Sequence, residues 1–282
     1  MAASFDLHTH STYSDGMFCP EEVVARAAAA GVTCLALTDH DETAGVAAAR
    51  QRANAEGIEL VAGVEISVTW TVHTMHVIGL QVDPDNPDLS AGLARLRAGR
   101  EERACRIARE LERAGIRGSL EGARARAANA RLVGRAHFAR YLVEAGHAAD
   151  FRAAFRRWLG SGTPGHVAHQ WASLEEAVRW IKASGGLAVL AHPARYKLRS
   201  CQRDELLAGF RELGGVGVEV VSGDRPPEEA VVWARHAKRF GLLASAGSDF
   251  HGGVGGSERI GRLLPLPAGC APIWERLRAA RT

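Results

Sequence analysis

The stretch DLHTHSTYSDGMF, residues 6–18, places His8 and His10 two positions apart directly after a short apolar start, and Asp15 follows in a Ser-Asp-Gly turn. Side chains at i and i+2 of a strand project from the same face, so both imidazoles would point to one side. Neutral imidazole is the commonest protein metal ligand, although a short histidine pair is also compatible with an ordinary polar face. The rest of the sequence has to distinguish these two readings.

Outward from this stretch, short apolar segments alternate with segments of helical pattern. A helix is predicted from Pro20 to Gly31, another over residues 43–56, one behind the capping box of Ser173 and Glu176, and one after Pro226. The predicted strands are FDL (5–7), CLAL (34–37), ELVAGVEISV (59–68), TMHVIGLQV (74–82), GLAVLA (186–191), VGVEVV (216–221) and LLASAGSDF (242–250). This alternation predicts an α/β fold with a parallel sheet and crossover helices, either a barrel or a doubly wound sheet.

The middle of the chain departs from this alternation. After the turn-rich VDPDNPD (82–88), residues 89–160 contain no convincing strand and are predicted to be a helical insertion. The α/β scaffold would then consist of residues 1–88 and 161–282. Residues 95–157 hold sixteen arginines, no lysine and seven acidic residues, a net charge of +9, whereas the whole chain carries only +3. This asymmetry predicts that an anionic ligand meets the insertion.

Composition narrows the class of protein further. A hydrophobic content of 46% with 24% charged residues is typical of a soluble globular protein. No apolar run approaches the roughly 20 residues that span a bilayer, and the first residues lack the pattern of a signal peptide. The five cysteines are scattered without a C-x-x-C pair, which argues against a disulfide framework or a thiolate zinc site. We therefore expect a cytoplasmic protein without membrane contact.

Histidines and carboxylates recur at or near the ends of the predicted strands. The carboxyl ends of parallel barrel strands converge on one face, where active sites are built. The converging candidates are His8, His10, Asp15, His40, Glu65, His76, His192, Asp249 and His251. Nine nitrogen and oxygen ligands exceed what one ion takes, whereas two or three ions that share bridging carboxylates could use them all. The pattern therefore predicts a multinuclear metal site.

Six of these segments together resemble the PHP family, the phosphoesterases named after polymerase and histidinol phosphatase domains. They are DLHTHSTYSDG, LALTDHD, AGVEIS, MHVIG, LAHPARY and GSDFHG, in the order in which the family has them. The resemblance implies a distorted seven-stranded (β/α) barrel in which the nine residues above bind two or three divalent ions. Asp15, His40, His192 and Asp249 are expected to be catalytic as well. Manganese is the metal that the resemblance favours, although mixed imidazole and carboxylate ligands also suit zinc and iron.

Within the family, the Ser-Asp-Gly form with a helical insertion is similar to the nucleoside 3',5'-bisphosphate phosphatases and the related 5'-to-3' exoribonucleases. The implied reaction is hydrolysis of the 3'-phosphate of a nucleoside 3',5'-bisphosphate such as 3',5'-bisphosphoadenosine. Trimming of short 5'-phosphorylated oligonucleotides is also expected, since both substrates need cleavage at the 3' phosphoester of a 5'-phosphorylated nucleotide. No obligate protein partner is evident from the sequence.

Arginines are expected to complete the site. Arg195, three residues beyond His192, and Arg135 in GRAHFAR are predicted phosphate clamps, because a guanidinium binds phosphate through a bidentate fork. The alternative for each is a surface salt bridge. His137 is expected either to contact substrate and assist the leaving group or to be a structural histidine. Asp39 and Asp41 are expected to orient the loop or a ligand histidine, and Glu219 is ambiguous in the same way.

Three other functions share parts of this pattern. A metal-dependent amidohydrolase or deaminase also begins with H-x-H on a barrel strand, but the basic insertion and Arg195 argue against a neutral substrate. A histidinol phosphate phosphatase of this family usually has a histidine at the position of Asp15. A noncatalytic nucleic-acid-binding module would be expected to have lost ligands, whereas this chain retains all nine candidates.

Overall fold

The computed structural model describes residues 4–223, 225–253 and 259–279 of the 282-residue chain. Seven strands form one sheet in which the strands are neighbours in chain order, from β1 to β7. The strands are β1 (Phe5–Asp6), β2 (Cys34–Leu37), β3 (Glu59–Trp70), β4 (His73–Leu80), β5 (Leu187–Leu190), β6 (Gly217–Ser222) and β7 (Leu243–Gly247). Each of the seven predicted strand segments therefore overlaps one strand of the sheet.

Ten α-helices accompany the strands in the described parts of the chain. They are α1 (Pro20–Ala29), α2 (Val46–Glu56), α3 (Pro87–Arg113), α4 (Ser119–Arg124), α5 (Arg135–Glu144), α6 (Phe151–Ala154), α7 (Leu174–Ala183), α8 (Ser200–Leu213), α9 (Pro227–Arg239) and α10 (Trp274–Ala279). The capping box of Ser173 and Glu176 begins α7 as predicted. Helix α2 begins later than predicted, because the Glu42 side chain accepts hydrogen bonds from the backbone N–H groups of Thr43 and Ala44 and holds them in a turn.

The sheet closes on itself between its first and last strands. The Leu7 N–H donates to the Ala246 carbonyl at 3.0 Å, and the Asp249 N–H donates to the His8 carbonyl at 2.9 Å. A further parallel bridge joins Thr9 to Phe250. The result is a seven-stranded (β/α) barrel that is distorted from the regular all-parallel form.

The distortion comes from β4, and it corrects the prediction of an all-parallel sheet. β4 pairs antiparallel with both β3 and β5, whereas the other neighbours are parallel. Only Thr71 and Val72 connect β3 to β4, and a parallel pair requires a crossover of a dozen or more residues. His76 therefore lies in the middle of β4, opposite Ser67, rather than beyond the end of a strand.

The segment from α3 to residue 159 is helical and has a hydrophobic cluster of its own. Ile107 and Leu111 of α3 pack in this cluster with Phe138 and Leu142 of α5. A larger cluster lies between the sheet and the helices α3, α7, α8 and α9. The long helix α3 contributes to both clusters, so it connects the helical segment to the barrel.

None of the helices in the described ranges combines the length and the apolar character that crossing a membrane would require.

Candidate metal centre

The chain after β1 carries the first two imidazoles into the barrel. His8 and His10 are completely buried, and their Nε2 atoms lie 3.0 Å apart. The pairing of Thr9 with Phe250 keeps this segment extended, so that the two rings fall on the same side. Phe250 is flanked by Asp249 and His251, which are therefore brought to the same end of the barrel as the histidine pair.

Three groups of ligand atoms, each within 4.8 Å, unite eight of the nine predicted ligands. The groups are His10, Asp15, His40 and His251; His8, His10, Glu65 and Asp249; and His40, Glu65 and His76. His10, His40 and Glu65 each belong to two groups. An arrangement of overlapping groups is suited to two or three ions that share ligands rather than to one isolated ion.

Glu65 of β3 is at the centre of this arrangement. Its Oε2 lies 2.8 Å from Nδ1 of His40 and 3.3 Å from Nε2 of both His8 and His10. Its Oε1 lies 3.0 Å from Nδ1 of His76. The carboxylate is fully buried and each oxygen faces different imidazoles, which is the geometry of a bridging ligand.

His192 is the one predicted ligand outside the three groups. Its Nε2 lies 2.8 Å from Oε1 of Glu65 and 3.2 Å from Nδ1 of His76. Its backbone has a φ of 26°, a positive value that is uncommon for a residue with a side chain. Tyr196 packs edge-on against the His192 ring, and its hydroxyl accepts a hydrogen bond from the His76 N–H at 2.8 Å. Strain at this position is the kind of backbone outlier that is found at functional sites.

Electrostatics keep the three carboxylates ionised. Burial opposes the charge of each, but the polar surroundings prevail: the His251 side chain is the main group that holds the pKa of Asp15 well below its usual value. Arg195 acts on Asp249 in the same way, and the surrounding histidines act on Glu65. Burial lowers the pKa of His40 to about 4, so its imidazole is neutral at neutral pH and keeps a lone pair for a ligand.

The histidine pair after β1 behaves differently. Burial lowers the pKa of His10, but the carboxylates of Asp249 and Glu65, which face its Nε2, outweigh burial and raise the pKa to about 9. Burial also lowers the pKa of His8, but Glu219, Glu65 and Asp249 outweigh burial and raise this pKa well above its usual value. Both shifts come from the same buried carboxylates, so the two rings lie in a negative environment that favours a cation.

The residues present fit divalent cations. Asp15 Oδ1, Glu65 Oε2 and His192 Nδ1 are buried atoms that complete no well-aligned hydrogen bond in the described structure. A buried polar atom left without a partner is unfavourable by about 1–3 kcal/mol. Mixed imidazole and carboxylate donors are the ligand set of manganese, iron and zinc sites, and cations would satisfy these atoms.

Asp39 and Asp41 lie beside the centre and hold its loops. Asp39 accepts hydrogen bonds from the N–H and hydroxyl of Ser11 and from the hydroxyl of Ser14, which fixes the turn that carries Asp15. Asp41 accepts from the Ser67 N–H at 2.7 Å. Neither belongs to a group of candidate ligand atoms.

The predicted phosphate ligands lie in three different surroundings. Arg195 forms an ion pair with Oδ2 of Asp249. Arg135 begins α5, half-buried, with its guanidinium 5.6 Å from the centre of the Phe155 ring. His137 is buried, and its Nδ1 accepts a hydrogen bond from the Gly134 N–H at 3.1 Å. Burial lowers the pKa of His137 to about 4, with Asp15 acting in the opposite direction.

Sequence reasoning missed several arginines around the centre. Arg100 donates from Nε to Oδ2 of Asp41, and Arg140 donates to the carbonyl of Asp15. Arg103 is crowded by other cations: burial together with Arg135 and Arg100 lowers its pKa to about 9. The high arginine content of the insertion was the only sequence signal for these residues, and it does not say which of them face the barrel.

Imidazoles and ionised carboxylates form overlapping groups of candidate metal ligands at one end of a (β/α) barrel. Such a site is characteristic of a metal-dependent hydrolase. Comparison with known proteins gives the family: residues 6–183 match the PHP domain family. The chain belongs to this family of phosphoesterases.

Close relatives cover almost the whole chain. A 3',5'-nucleoside bisphosphate phosphatase of Chromobacterium violaceum is 48% identical over 277 residues, which are 98% of this chain and 97% of the relative. A 5'-3' exoribonuclease of Escherichia coli is 43% identical over 276 residues, which are 97% of this chain and 94% of the relative. These matches extend through the helical segment as well as the barrel.

Solved structures agree with the fold. A Chromobacterium violaceum structure, described as an amidohydrolase with bound sulfate and no metal, superposes with a TM-score of 0.94 at 48% identity over 98% of this chain and 96% of the other. A structure described as a metal-dependent phosphoesterase from Bifidobacterium adolescentis superposes with a TM-score of 0.81 at 28% identity over 99% of this chain and 96% of the other.

Proposed function

We propose that this PHP phosphoesterase removes the 3'-phosphate from nucleoside 3',5'-bisphosphates, converting 3',5'-bisphosphoadenosine to AMP and phosphate. The observation that carries the proposal is the presence of two sites of different kinds that are each suited to a phosphate, one through metal cations and one through guanidinium groups. One is the centre of histidines and carboxylates, and the other is a group of arginines around Arg103 and Arg135. A substrate with two separated phosphates matches two such sites, whereas a simple phosphate ester needs only the first.

The second site, which we call the arginine cluster, consists of Arg103, Arg106 and Arg135. In the described parts of the chain none of the three forms an ion pair with an acidic side chain. Arg103 donates to the Val167 carbonyl at 3.2 Å, and Arg106 lies 3.0 Å from Nδ1 of His169. Half-buried guanidinium groups that repel one another in this way are stabilised by a bound anion. We assign the phosphate that is not cleaved to this cluster.

Residues 89–160 would then act as a cap that presents the arginine cluster to the barrel mouth. Two contacts fasten the cap to the loops of the centre: Asn129 donates to the Tyr13 carbonyl at 3.0 Å, and Arg140 donates to the Asp15 carbonyl. Residues 89–160 would therefore contribute both to the position of Asp15 and to the binding of the phosphate that is not cleaved.

We assign all nine predicted ligands to two or three divalent ions, with manganese the first choice and zinc or iron compatible with the same donors. Such ions lower the pKa of water, orient the phosphate and stabilise the attacking and leaving oxygens during in-line displacement. Asp15, His40, His192 and Asp249 would hold the ions that contact the reacting phosphate. Their ionised carboxylates and neutral imidazoles keep lone pairs available at neutral pH.

Arg195 and His137 have complementary roles in this proposal. The Arg195 guanidinium is held by Asp249 and is 42% exposed, so it can rotate a free N–H toward a phosphate oxygen. His137 accepts the Gly134 N–H at Nδ1, so the proton of its neutral ring resides on Nε2. That N–H is available as a donor to the substrate or to the leaving oxygen.

The same chemistry extends to the 5' end of RNA. A terminal nucleotide of a 5'-phosphorylated oligonucleotide presents one phosphate for the arginine cluster and a 3' phosphodiester for the metal centre. In both reactions water attacks the phosphorus and the 3'-oxygen of the 5'-phosphorylated nucleotide leaves. The second product is inorganic phosphate in one case and the remaining strand, with the phosphate on its new 5' end, in the other. Relatives that act as 5'-3' exoribonucleases support this second activity.

All the residues assigned here come from one chain, so the proposed activity requires no protein partner. We place the enzyme in the cytoplasm, where reducing conditions suit cysteines that form no disulfide in the described structure.

The experiment that tests the proposal is a substrate comparison with the purified, manganese-loaded protein. Phosphate or nucleotide release is measured from 3',5'-bisphosphoadenosine, a 5'-phosphorylated oligoribonucleotide, histidinol phosphate and a simple N-acyl amide. We expect the bisphosphate to have the highest kcat/KM and the amide to be inert. Faster turnover of histidinol phosphate than of the bisphosphate would contradict the assignment of the arginine cluster.

A further inference from the structure

The side chain of Glu219 in β6 contacts two members of the proposed metal centre, His8, which follows β1, and His192, which follows β5. Its Oε1 accepts a hydrogen bond from Nδ1 of His8 at 2.8 Å. Its Oε2 accepts a hydrogen bond from the backbone N–H of His192 at 2.5 Å. Glu219 is 1% exposed and is not a member of any group of candidate ligand atoms. Its two oxygens are therefore directed at ligand residues rather than at the position of an ion.

The barrel is built so that Glu219 can reach across β7 to His8. Gly247 of β7 lies between them: a Cβ at this position would clash with the His8 Cβ and would lie 2.7 Å from Oε1 of Glu219. The pairing of β6 with β7 also shifts register between Glu219 and Val221. Bulges of this kind re-aim a side chain and are frequent beside active sites. The missing side chain and the shifted register have the same effect, which is to open a path for the carboxylate.

The contact decides which nitrogen of His8 faces the centre. An imidazole that donates its Nδ1–H to a carboxylate keeps Nε2 unprotonated in the neutral ring. Nε2 of His8 lies 3.3 Å from Oε2 of Glu65 and 3.4 Å from Oδ1 of Asp249, among the ligand atoms. Glu219 thus aims a lone pair of His8 at the place where an ion would be bound.

The contact with His192 stabilises an unusual backbone. At a φ of 26° and a ψ of 55° the His192 peptide is outside the favoured regions, and such strain persists only where neighbouring groups determine it. The Glu219 carboxylate is a charged acceptor for the His192 N–H, which makes this a strong hydrogen bond. The ring of His192 is therefore held close to Glu65.

We propose that Glu219 is a positioning residue of the metal centre, which fixes the tautomer of His8 and the backbone of His192 simultaneously. This inference rests on the proposed metal centre but not on the identity of the substrate. A change at Glu219 should therefore weaken metal binding itself, whatever phosphate ester the enzyme hydrolyses.

Glu219→Gln is the informative variant because it preserves size and shape. A carboxamide has one oxygen and one NH2 group, so it cannot accept from both His8 and the His192 N–H. If its oxygen stays on His192, its NH2 donates to Nδ1 of His8 and moves the His8 proton to Nε2, where the lone pair is needed. If its oxygen turns to His8, two donors face each other at His192.

The test measures manganese binding by calorimetry and bound metal by elemental analysis after equilibrium dialysis. We expect Glu219→Gln to weaken the affinity of at least one ion by 10- to 100-fold, the usual effect of losing a hydrogen-bond partner of a ligand histidine. Because the ligands themselves remain, excess manganese should restore most of the activity. His8→Ala, which removes a ligand, should not be rescued in this way. Glu176→Gln is the control, since Glu176 also accepts a backbone N–H but lies at the N-terminus of α7.

A purely structural role for Glu219 predicts a different result. Glu219→Gln would then melt at a lower temperature but bind manganese with unchanged affinity and stoichiometry, and that result would overturn the proposal. If Glu219→Gln does not fold, Glu219→Asp is measured instead: it retains the charge but is one methylene too short to span both partners. Normal metal affinity in folded Glu219→Asp would equally overturn the proposal. Loss of metal binding without any nucleotide hydrolysis in the parent protein would support this inference and refute the proposed function.

Discussion

Nε of Arg100 donates to Oδ2 of Asp41 at 2.7 Å, and this contact joins the long helix α3 to the loop that follows β2. The same guanidinium donates to the Ser67 hydroxyl at 2.7 Å, and Arg97 donates to the Asp41 carbonyl at 2.9 Å. Asp41 is completely buried and Arg100 is 9% exposed. A buried pair of this kind couples the position of α3 to the loop that carries His40.

Removing one partner of this pair should be strongly destabilising. Arg100→Ala leaves the Asp41 carboxylate buried without its countercharge, and breaking a buried pair in this way typically lowers the free energy of unfolding by about 3–5 kcal/mol. Denaturant unfolding monitored by circular dichroism measures the change. Arg109→Ala, an exposed position of the same helix, is the control and should stay within about 0.5 kcal/mol of the parent. A similar effect of both substitutions would mean that α3 is stabilised by its general packing rather than by this pair.

The ligand residues give a second prediction. His8→Ala, His192→Ala and Asp249→Ala should each lower turnover by several orders of magnitude and reduce bound metal, because each removes a donor from a shared centre. The folded state should persist, as judged by circular dichroism. Elemental analysis of each purified variant checks the result, with Cys201→Ala as a surface control. Full metal occupancy and normal turnover in any one variant would remove that residue from the centre.

The sequence contained most of this centre because its members occur in short local motifs. His8 and His10 are two residues apart, and the chain after β7 brings Asp249 and His251 beside them through one bridge, Thr9 to Phe250. Spacing and strand ends are sufficient to predict such clusters. His76 is different, since it lies in mid-strand and the sequence connected it to the centre through the resemblance of MHVIG to the family rather than through a strand end. The short segment between the two predicted strands, residues 69–73, could have signalled the antiparallel pairing of β4, because a parallel pair requires a longer crossover.

Contacts between distant parts of the chain could not be predicted. Glu219 and His8 are 211 residues apart, and their pairing depends on strand order, on the register of β6 and on a glycine in β7. Arg103 is a similar case: the sequence predicted a basic insertion and named Arg135 in it, but only the folded structure places Arg103 beside Arg135 and Arg100. Tertiary geometry, rather than local pattern, determines these choices.

His137 provides a prediction for pH dependence. Its pKa is lowered to about 4 in the folded protein, mainly by burial, whereas an unfolded histidine titrates near 6.5. A lowered histidine pKa means that the folded state prefers the neutral ring. Above pH 6.5 the ring is neutral in both states, so the free energy of unfolding has its full value. Between pH 6.5 and 4 the unfolded state binds the proton more readily, and the free energy of unfolding falls. At pH 5 the loss should amount to about 1–2 kcal/mol.

The comparison with His137→Gln isolates this effect from the titration of the metal ligands. Glutamine does not titrate, and its side-chain oxygen can still accept the Gly134 N–H at the start of α5. Thermal unfolding of both proteins is measured at pH 8 and at pH 5. We expect the parent to lose more stability than the variant between these values. Parallel losses in the two proteins would show that His137 is not held in the neutral form by the fold.

The arginine cluster gives the prediction that bears most directly on substrate choice. If Arg135 binds the phosphate that is not cleaved, Arg135→Ala should lower kcat/KM for 3',5'-bisphosphoadenosine by roughly ten- to a hundredfold, the effect of losing one charge-assisted contact. Hydrolysis of para-nitrophenyl phosphate, which has no second phosphate, should hardly change. Arg156→Ala, an exposed arginine of the same helical segment, should leave both rates unaltered and serves as the matched control. Steady-state kinetics on the two substrates provide the measurement. Equal losses on both substrates would mean that Arg135 supports the metal centre or the fold. No loss on either would show that the guanidinium is a surface group, and the second phosphate would then have to be bound elsewhere.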